Sequence, residues 1–277
     1  MSILSTIHYC RAGVLILWLL ASFQFLSAQT KFSAEKYFKK AEDFKKNMMP
    51  DSAIFYFKKA ALHFKEKGKT KKLINTYNQI ATLLSRKDKF EEGRMYLGMA
   101  ELAGNTLKDT NDLLRAATFI NLGVIYGSMG DFKGSLAYHR RALAIRLLKS
   151  GEYNSDVATS YGNMGNVYFI QKEYDLAIES HLKALKIREK IFGSKSTEVN
   201  QTYNNLAKAY KEKKEYDTAL TYLQKLEENK ILQVGPDHKD LIKVYTSLSD
   251  LYQLMGNDEQ MVLYKSKADA ISAKVGG

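Results

Sequence analysis

At 277 residues with 45% hydrophobic and 12% aromatic content, this chain carries 42 lysines and arginines against 30 acidic residues, a formal net charge of +12. That balance is unlike a low-hydrophobicity disordered tail and favours anionic surfaces or partners. A single cysteine excludes a disulfide framework, and only two prolines interrupt the chain.

Arg11 precedes an apolar run over 14–21, and Leu26-Ser27-Ala28 offers a small residue for cleavage before Gln29. Residues 1–28 therefore read as a secretory signal peptide, the alternative being an uncleaved anchor, for which the run is short against the roughly 20 residues of a span. Cleavage would remove Cys10 and Trp18 and leave residues 29–277 as a helical repeat domain of net charge +11. Two segments with helical periodicity, 34–46 and 51–64, make a first pair within 33–67. A second pair covers 72–104, with Ile80, Ala81, Phe90 and Ala100 in register. Pairs at 112–150, 154–192 and 197–231 follow. The last, 238–274, departs from the pattern at Asp258, Met261 and Asp269, as a terminal repeat with one face in water does. Pro50 and Pro236 are expected between helices, where a missing amide costs nothing.

The pairs are copies of one unit. Tyr126, Tyr168, Tyr210 and Tyr252 stand 42 residues apart, each three residues after a small one: Gly123, Gly165, Ala207 and Ser249. Asn121, Asn163 and Asn205 keep the same step, and Leu84 replaces the tyrosine in the second pair. In the fourth pair Met164, Val167, Tyr168 and Ile170 have helical spacing, Gln171-Lys172-Glu173 reads as a turn, and Tyr174, Ala177, Ile178, Leu182 and Leu185 resume the helix. Glycine costs roughly 1 kcal/mol relative to alanine inside a helix, so a small residue recurring at this register predicts close approach of the two helices of a pair.

The unit resembles a tetratricopeptide repeat through Leu122-Gly123, Tyr126, Ser135 and Ala142, and again through Met164-Gly165, Tyr168, Ala177 and Ala184. The 42-residue step is longer than the usual ~34. With residues 184–192 and Gly235-Pro236-Asp237-His238 it is similar to the longer-helix variant of kinesin light chains. The resemblance, over about residues 33–274, implies an all-α, right-handed superhelical solenoid of about six antiparallel helix pairs.

No enzyme constellation is present: there is no HExxH, no GxxxxGK[ST], no dinucleotide fingerprint and no cysteine after residue 10. No cofactor is expected. His139 and His181 hold equivalent positions in adjacent pairs, but equivalent positions of stacked helices lie on the order of 8–10 Å apart, too far for one ion. They are expected to fill the aromatic slot of each second helix. Nucleic acid is not an expected partner, because the tyrosines sit at core registers.

Recognition of a protein or peptide is the expected chemistry. In the family's geometry the first helix of each pair lines a concave groove, and the groove positions map to Asn78, Gln79, Asn121, Asn163, Asn166, Asn204, Asn205 and Lys208. A side-chain amide both donates and accepts, so a row of them can hold an extended peptide backbone; in the family such asparagines do so. The alternative is that they tie loops and helix ends together. Lys208 is the one obvious cation of this groove, which disfavours a chaperone-tail carboxylate or a strongly acidic ligand. Residues 31–72 hold thirteen lysines against five acids, either a solvated face or a seat on an anionic surface. The function expected is an exported, periplasmic or secreted interaction scaffold without catalysis. A second reading is the sensory input of a signalling system acting through a separate effector.

Overall fold

The structure, a computed structural model, describes residues 33–276, so the expected signal peptide lies outside the described residues. Among them are twelve helices and no strand, forming six antiparallel pairs. They divide after Thr106 into two compact units.

In the first unit, α1 (Ala34–Lys46), α2 (Pro50–Glu66), α3 (Thr70–Ser85) and α4 (Phe90–Gly104) pack each on the next. Pro50 stands in the first turn of α2 rather than between helices; its amide would have no intrahelical partner there, and its fixed φ suits a helix start. Phe57, Phe64, Ile74, Ile80, Leu84 and Leu97 are buried between the helices.

In the second unit, α5 (Leu113–Ser128) and α6 (Phe132–Ser150) form the third pair, and α7 (Ser155–Ile170) and α8 (Tyr174–Phe192) the fourth. The fifth pair is α9 (Thr197–Glu212) and α10 (Tyr216–Val234), the sixth α11 (Leu241–Leu254) and α12 (Asp258–Gly276). Each helix packs on its neighbours in sequence, and α5 also touches α7, as α7 touches α9. The first helices of the third, fourth and fifth pairs thus lie side by side on one face of this unit.

The close approach expected at the small residues is present. A Cβ placed on Gly123 would lie 2.5 Å from His139 Cε1, and one on Gly165 2.7 Å from His181 Cε1. Ser135 Oγ donates to the Gly123 carbonyl at 2.6 Å and locks the same crossing. Where the small residue is Ala81 or Ala207, the facing register 16 residues on holds Leu97 or Leu223. Glycine goes with histidine, alanine with leucine.

A second 42-residue ladder, not recognised in the sequence, runs through the second to sixth pairs. Tyr77, Phe119, Tyr161, Tyr203 and Tyr245 keep the step on the first helices, and Tyr96, Tyr138, Tyr222 and Tyr264 on the second. Tyr138 stacks on Tyr126 at 5.3 Å, Tyr222 on Tyr210 at 5.7 Å and Tyr264 on Tyr252 at 5.5 Å between centroids. Arg141, Lys183, Lys225 and Lys267, again 42 apart, place a cation over Phe119, Tyr161, Tyr203 and Tyr245. The fourth pair lacks the middle ring, because Ser180 stands at that register.

The turn inside each pair requires one residue with positive φ. Gly130 and Gly256 supply it at 83° and 72°, but Lys172 and Lys214 adopt 63° and 64°. A residue with a Cβ pays about 1–2 kcal/mol there, partly offset in glycine by the greater freedom of its unfolded chain. Lys172→Gly is therefore expected to raise stability by about 0.5 kcal/mol, read as a higher urea midpoint at unchanged slope. A lower midpoint would show that this turn carries no strain.

Candidate binding groove

The structure distributes the groove residues named from sequence between its two units. In the first, Asn78 is only 6% exposed and sits inside the pair, whereas Gln79 is half-buried and its Oε1 accepts from Lys45 Nζ at 3.0 Å. In the second, Asn121, Asn163, Asn204 and Asn205 are half-buried and Asn166 and Lys208 exposed. Asn205 Nδ2 donates to Asn166 Oδ1 at 3.1 Å, linking α9 to α7. One rung of the ladder is thus closed on its neighbour, as the tying alternative required.

That alternative is met more fully by amides the sequence reading passed over. Asn229 Nδ2 donates to Asn200 Oδ1 at 3.0 Å and to the Ser194 carbonyl at 2.9 Å. Asn200 Nδ2 donates to Gln233 Oε1, and Gln233 Nε2 to the Lys195 carbonyl, both at 2.9 Å. These side chains fix the α8–α9 connection against α10 and leave the inner rungs for other work. The signal for them was weak, because Asn229 has no amide counterpart at a 42-residue step.

Between pairs, a third ladder controls how open the inner face is. Arg146, Arg188 and Lys230 keep the 42-residue step near the ends of α6, α8 and α10, and Asp156, Glu198 and Asp240 keep it at the starts of α7, α9 and α11. Arg146 is 7% exposed and its Nη1 donates to Ser160 Oγ and to the Asp156 carbonyl, both at 2.8 Å. Arg188 Nη1 donates to Thr202 Oγ1. At the third position lysine replaces arginine, and Val244 stands where Ser160 and Thr202 stood. Lys230 cannot fork and has no hydroxyl to meet, so it reaches only the Asp240 carboxylate, at 3.1 Å. That ammonium, with smaller help from His238 and Lys239, holds the Asp240 carboxyl below its ordinary range.

The cleft that results has a volume of about 590 Å³. Leu226 and Val244 give it an apolar floor, Thr197, Gln201 and Asn204 a polar wall from α9, and Lys230, Lys239 and Lys243 its cations. Neither Lys239 nor Lys243 makes an ion pair among the described residues. Lys208 is therefore not the only cation of the inner face, as the sequence had suggested. In the first unit the corresponding cleft, about 310 Å³, is floored by Phe38 and Phe64 with Lys39 and Asn75 at its rim. Its Glu35 is taken by Lys69 at 2.7 Å and Lys72 at 2.9 Å, which hold the carboxyl at about 2.

His139 and His181 lie in the core of their pairs, each 1% exposed, with Nδ1 unpartnered. Burial, and then the nearby Arg146 or Arg188, pushes each imidazole down to about 4. They are core residues, but their register holds Leu97 and Leu223 in other pairs; the aromatic slot of the second helices is the preceding one, of Tyr96, Tyr138 and Tyr222. Among the described residues no group of three or more His, Cys, Asp or Glu could hold a metal ion.

Antiparallel helix pairs repeated at a fixed step, with one face of first helices left open, define a helical repeat scaffold. The tetratricopeptide repeat profile matches residues 72–147, 156–231 and 198–260, and the chain belongs to that family, whose repeats serve protein–protein interaction. No curated protein sequence matches the chain. Among solved structures it is similar to BtubC (BKLC) from P. vanneervenii, at 18% identity and a TM-score of 0.70 over 88% of this chain and 91% of that one. It is similar to the nearly identical TPR-like repeats of a putative kinesin light chain from Podosopora anserina, at 17% identity and 0.66 over 73% and 96%. The apo form of RapI is likewise similar, at 16% identity and 0.62 over 92% and 80%. At these identities the likeness is one of fold.

Proposed function

We propose that this protein is an exported, non-catalytic scaffold, periplasmic or secreted, that holds an extended peptide or a segment of a protein partner along the first-helix face of its repeats. The observation that supports this most directly is that Asn121 and Asn163 recur on that face at the repeat step without a hydrogen-bond partner among the described residues. Beside them α9 and α11 leave an open cleft. Side-chain amides both donate and accept, as a peptide backbone does, and a rigid, preorganised repeat face lowers the cost of binding. Export rests on the sequence of residues 1–28. The lysine-rich stretch 31–72 adds a means of resting the first pair on an anionic surface.

The test is affinity capture from the envelope fraction of the source organism with residues 29–277. A triple variant, Asn121→Ala, Asn163→Ala and Asn205→Ala, is matched to the parent in helicity and run beside it. A partner held by the parent and depleted about tenfold or more on the variant supports the inner-face reading. Equal recovery on both baits would assign the asparagines to tying the array together.

A further inference from the structure

We infer that the cleft between α9, α10 and α11 binds carboxylate side chains, so that the segment held there is an acidic peptide. This rests on the inner-face reading above and names the chemistry of its ligand. Two lysines of the cleft, Lys239 and Lys243, are exposed and form no ion pair, while Lys230 alone has Asp240. Three cations against one anion, gathered along an open cleft of about 590 Å³, attract negative charge. Gln201 and Asn204 supply amide donors on the facing wall, and Leu226 with Val244 excludes a fully solvated ion in favour of a chain with some apolar body.

The side chains of this seam differ from those of the two before it in the second unit. There the equivalent register holds the guanidinium of Arg146, satisfied by Ser160 and the Asp156 carbonyl, and that of Arg188 on Thr202. Those cations are committed to their own fold. At this seam Lys230 is paired with Asp240, and the positive charge left unspent is that of Lys239 and Lys243, whose counterparts 42 residues earlier, Thr197 and Gln201, are uncharged.

The experiment uses fluorescein-labelled hexaglutamate, with labelled hexaserine as the neutral control, and fluorescence anisotropy on residues 29–277 at low and high salt. Hexaglutamate is expected to bind and hexaserine not, with binding weakened as salt rises. Lys239→Glu/Lys243→Glu is expected to weaken it about tenfold or more, and Lys239→Gln/Lys243→Gln by less. The comparison Lys186→Glu/Lys190→Glu, which reverses two exposed charges on α8 outside the cleft, is expected to leave binding within about twofold. All variants alter exposed side chains, and their melting temperatures are matched to the parent's. The inference is overturned by absent binding, by an unaffected cleft variant, or by equal losses in the α8 variant, which would mean diffuse attraction. Displacement by free glutamate at equal carboxylate concentration would overturn the peptide assignment in favour of a small carboxylate. Should envelope capture depend on Asn163 and Asn205 while hexaglutamate fails, the acidic assignment falls and the inner-face reading stands.

Discussion

Gly165→Ala is expected to destabilise the second unit by about 2 kcal/mol, although alanine is the better helix former by roughly 1 kcal/mol. The added methyl would sit 2.7 Å from His181 Cε1 and 2.8 Å from its two ring nitrogens. The ring is 1% exposed and packed where it cannot withdraw. The molecule itself holds the compensating change: at the equivalent crossings Ala81 stands with Leu97 and Ala207 with Leu223. Adding His181→Leu to Gly165→Ala is accordingly expected to recover most of the loss, and the same pair of changes at Gly123 and His139 to behave alike. Urea denaturation of the two singles and the double gives the coupling directly. Additive losses would mean that the close approach at this crossing is not what selects glycine.

The same histidines make the fold sensitive to mild acid. Each imidazole is held at about 4 in the folded protein, against an ordinary value of 6.5. Above pH 6.5 both states are neutral there and the full stability is present. As pH falls from 6.5 toward 4, the unfolded chain takes up protons that the folded chain refuses, so stability is lost by about 1.4 kcal/mol per pH unit per histidine. Across that window the cost is on the order of 3 kcal/mol for each. Most carboxylates titrate near or below the bottom of this window. Melting temperature is expected to fall steeply between pH 6.5 and 4.5 in the parent. In the variant carrying alanine at 123 and 165 and leucine at 139 and 181 it should fall little. A parallel decline in both would assign the acid response to other groups.

How far the sequence reaches is shown by particular residues. The 42-residue step of Tyr126, Tyr168, Tyr210 and Tyr252 and its small companions marked the third to sixth helix pairs, because a packing register leaves the same trace in each copy, and helical periodicity supplied the first two. The core role of His139 and His181 was also legible, from their equivalent positions in adjacent pairs, although the register they share is aliphatic in other pairs rather than aromatic. The site was less so. Its cations lie on three different local contexts, the end of α10, the loop before α11 and the first turn of α11. The clamp at this seam differs in chemistry at single positions, lysine at 230 for arginine at 146 and 188 and Val244 for Ser160 and Thr202. Such a difference has no periodic signature and becomes visible only once the partner hydroxyls of Ser160 and Thr202 are seen in contact. Asn78 was misleading in another way: the ladder's register in the second pair belongs to Gln79, and Asn78, one residue before it, is buried.

The graded clamps between pairs also set how the second unit deforms. The seam held by Arg146 has buried, multiply bonded guanidinium contacts, whereas the seam at α10 and α11 has one exposed ion pair and the least extensive packing of the three. Mechanically the unit is a row of springs of unequal stiffness, and the softest one borders the cleft. Thermal bending concentrates at the hinge that a ligand would have to spread. A segment lodged there would stiffen it, and would change the curvature the rest of the unit presents to whatever lies beyond.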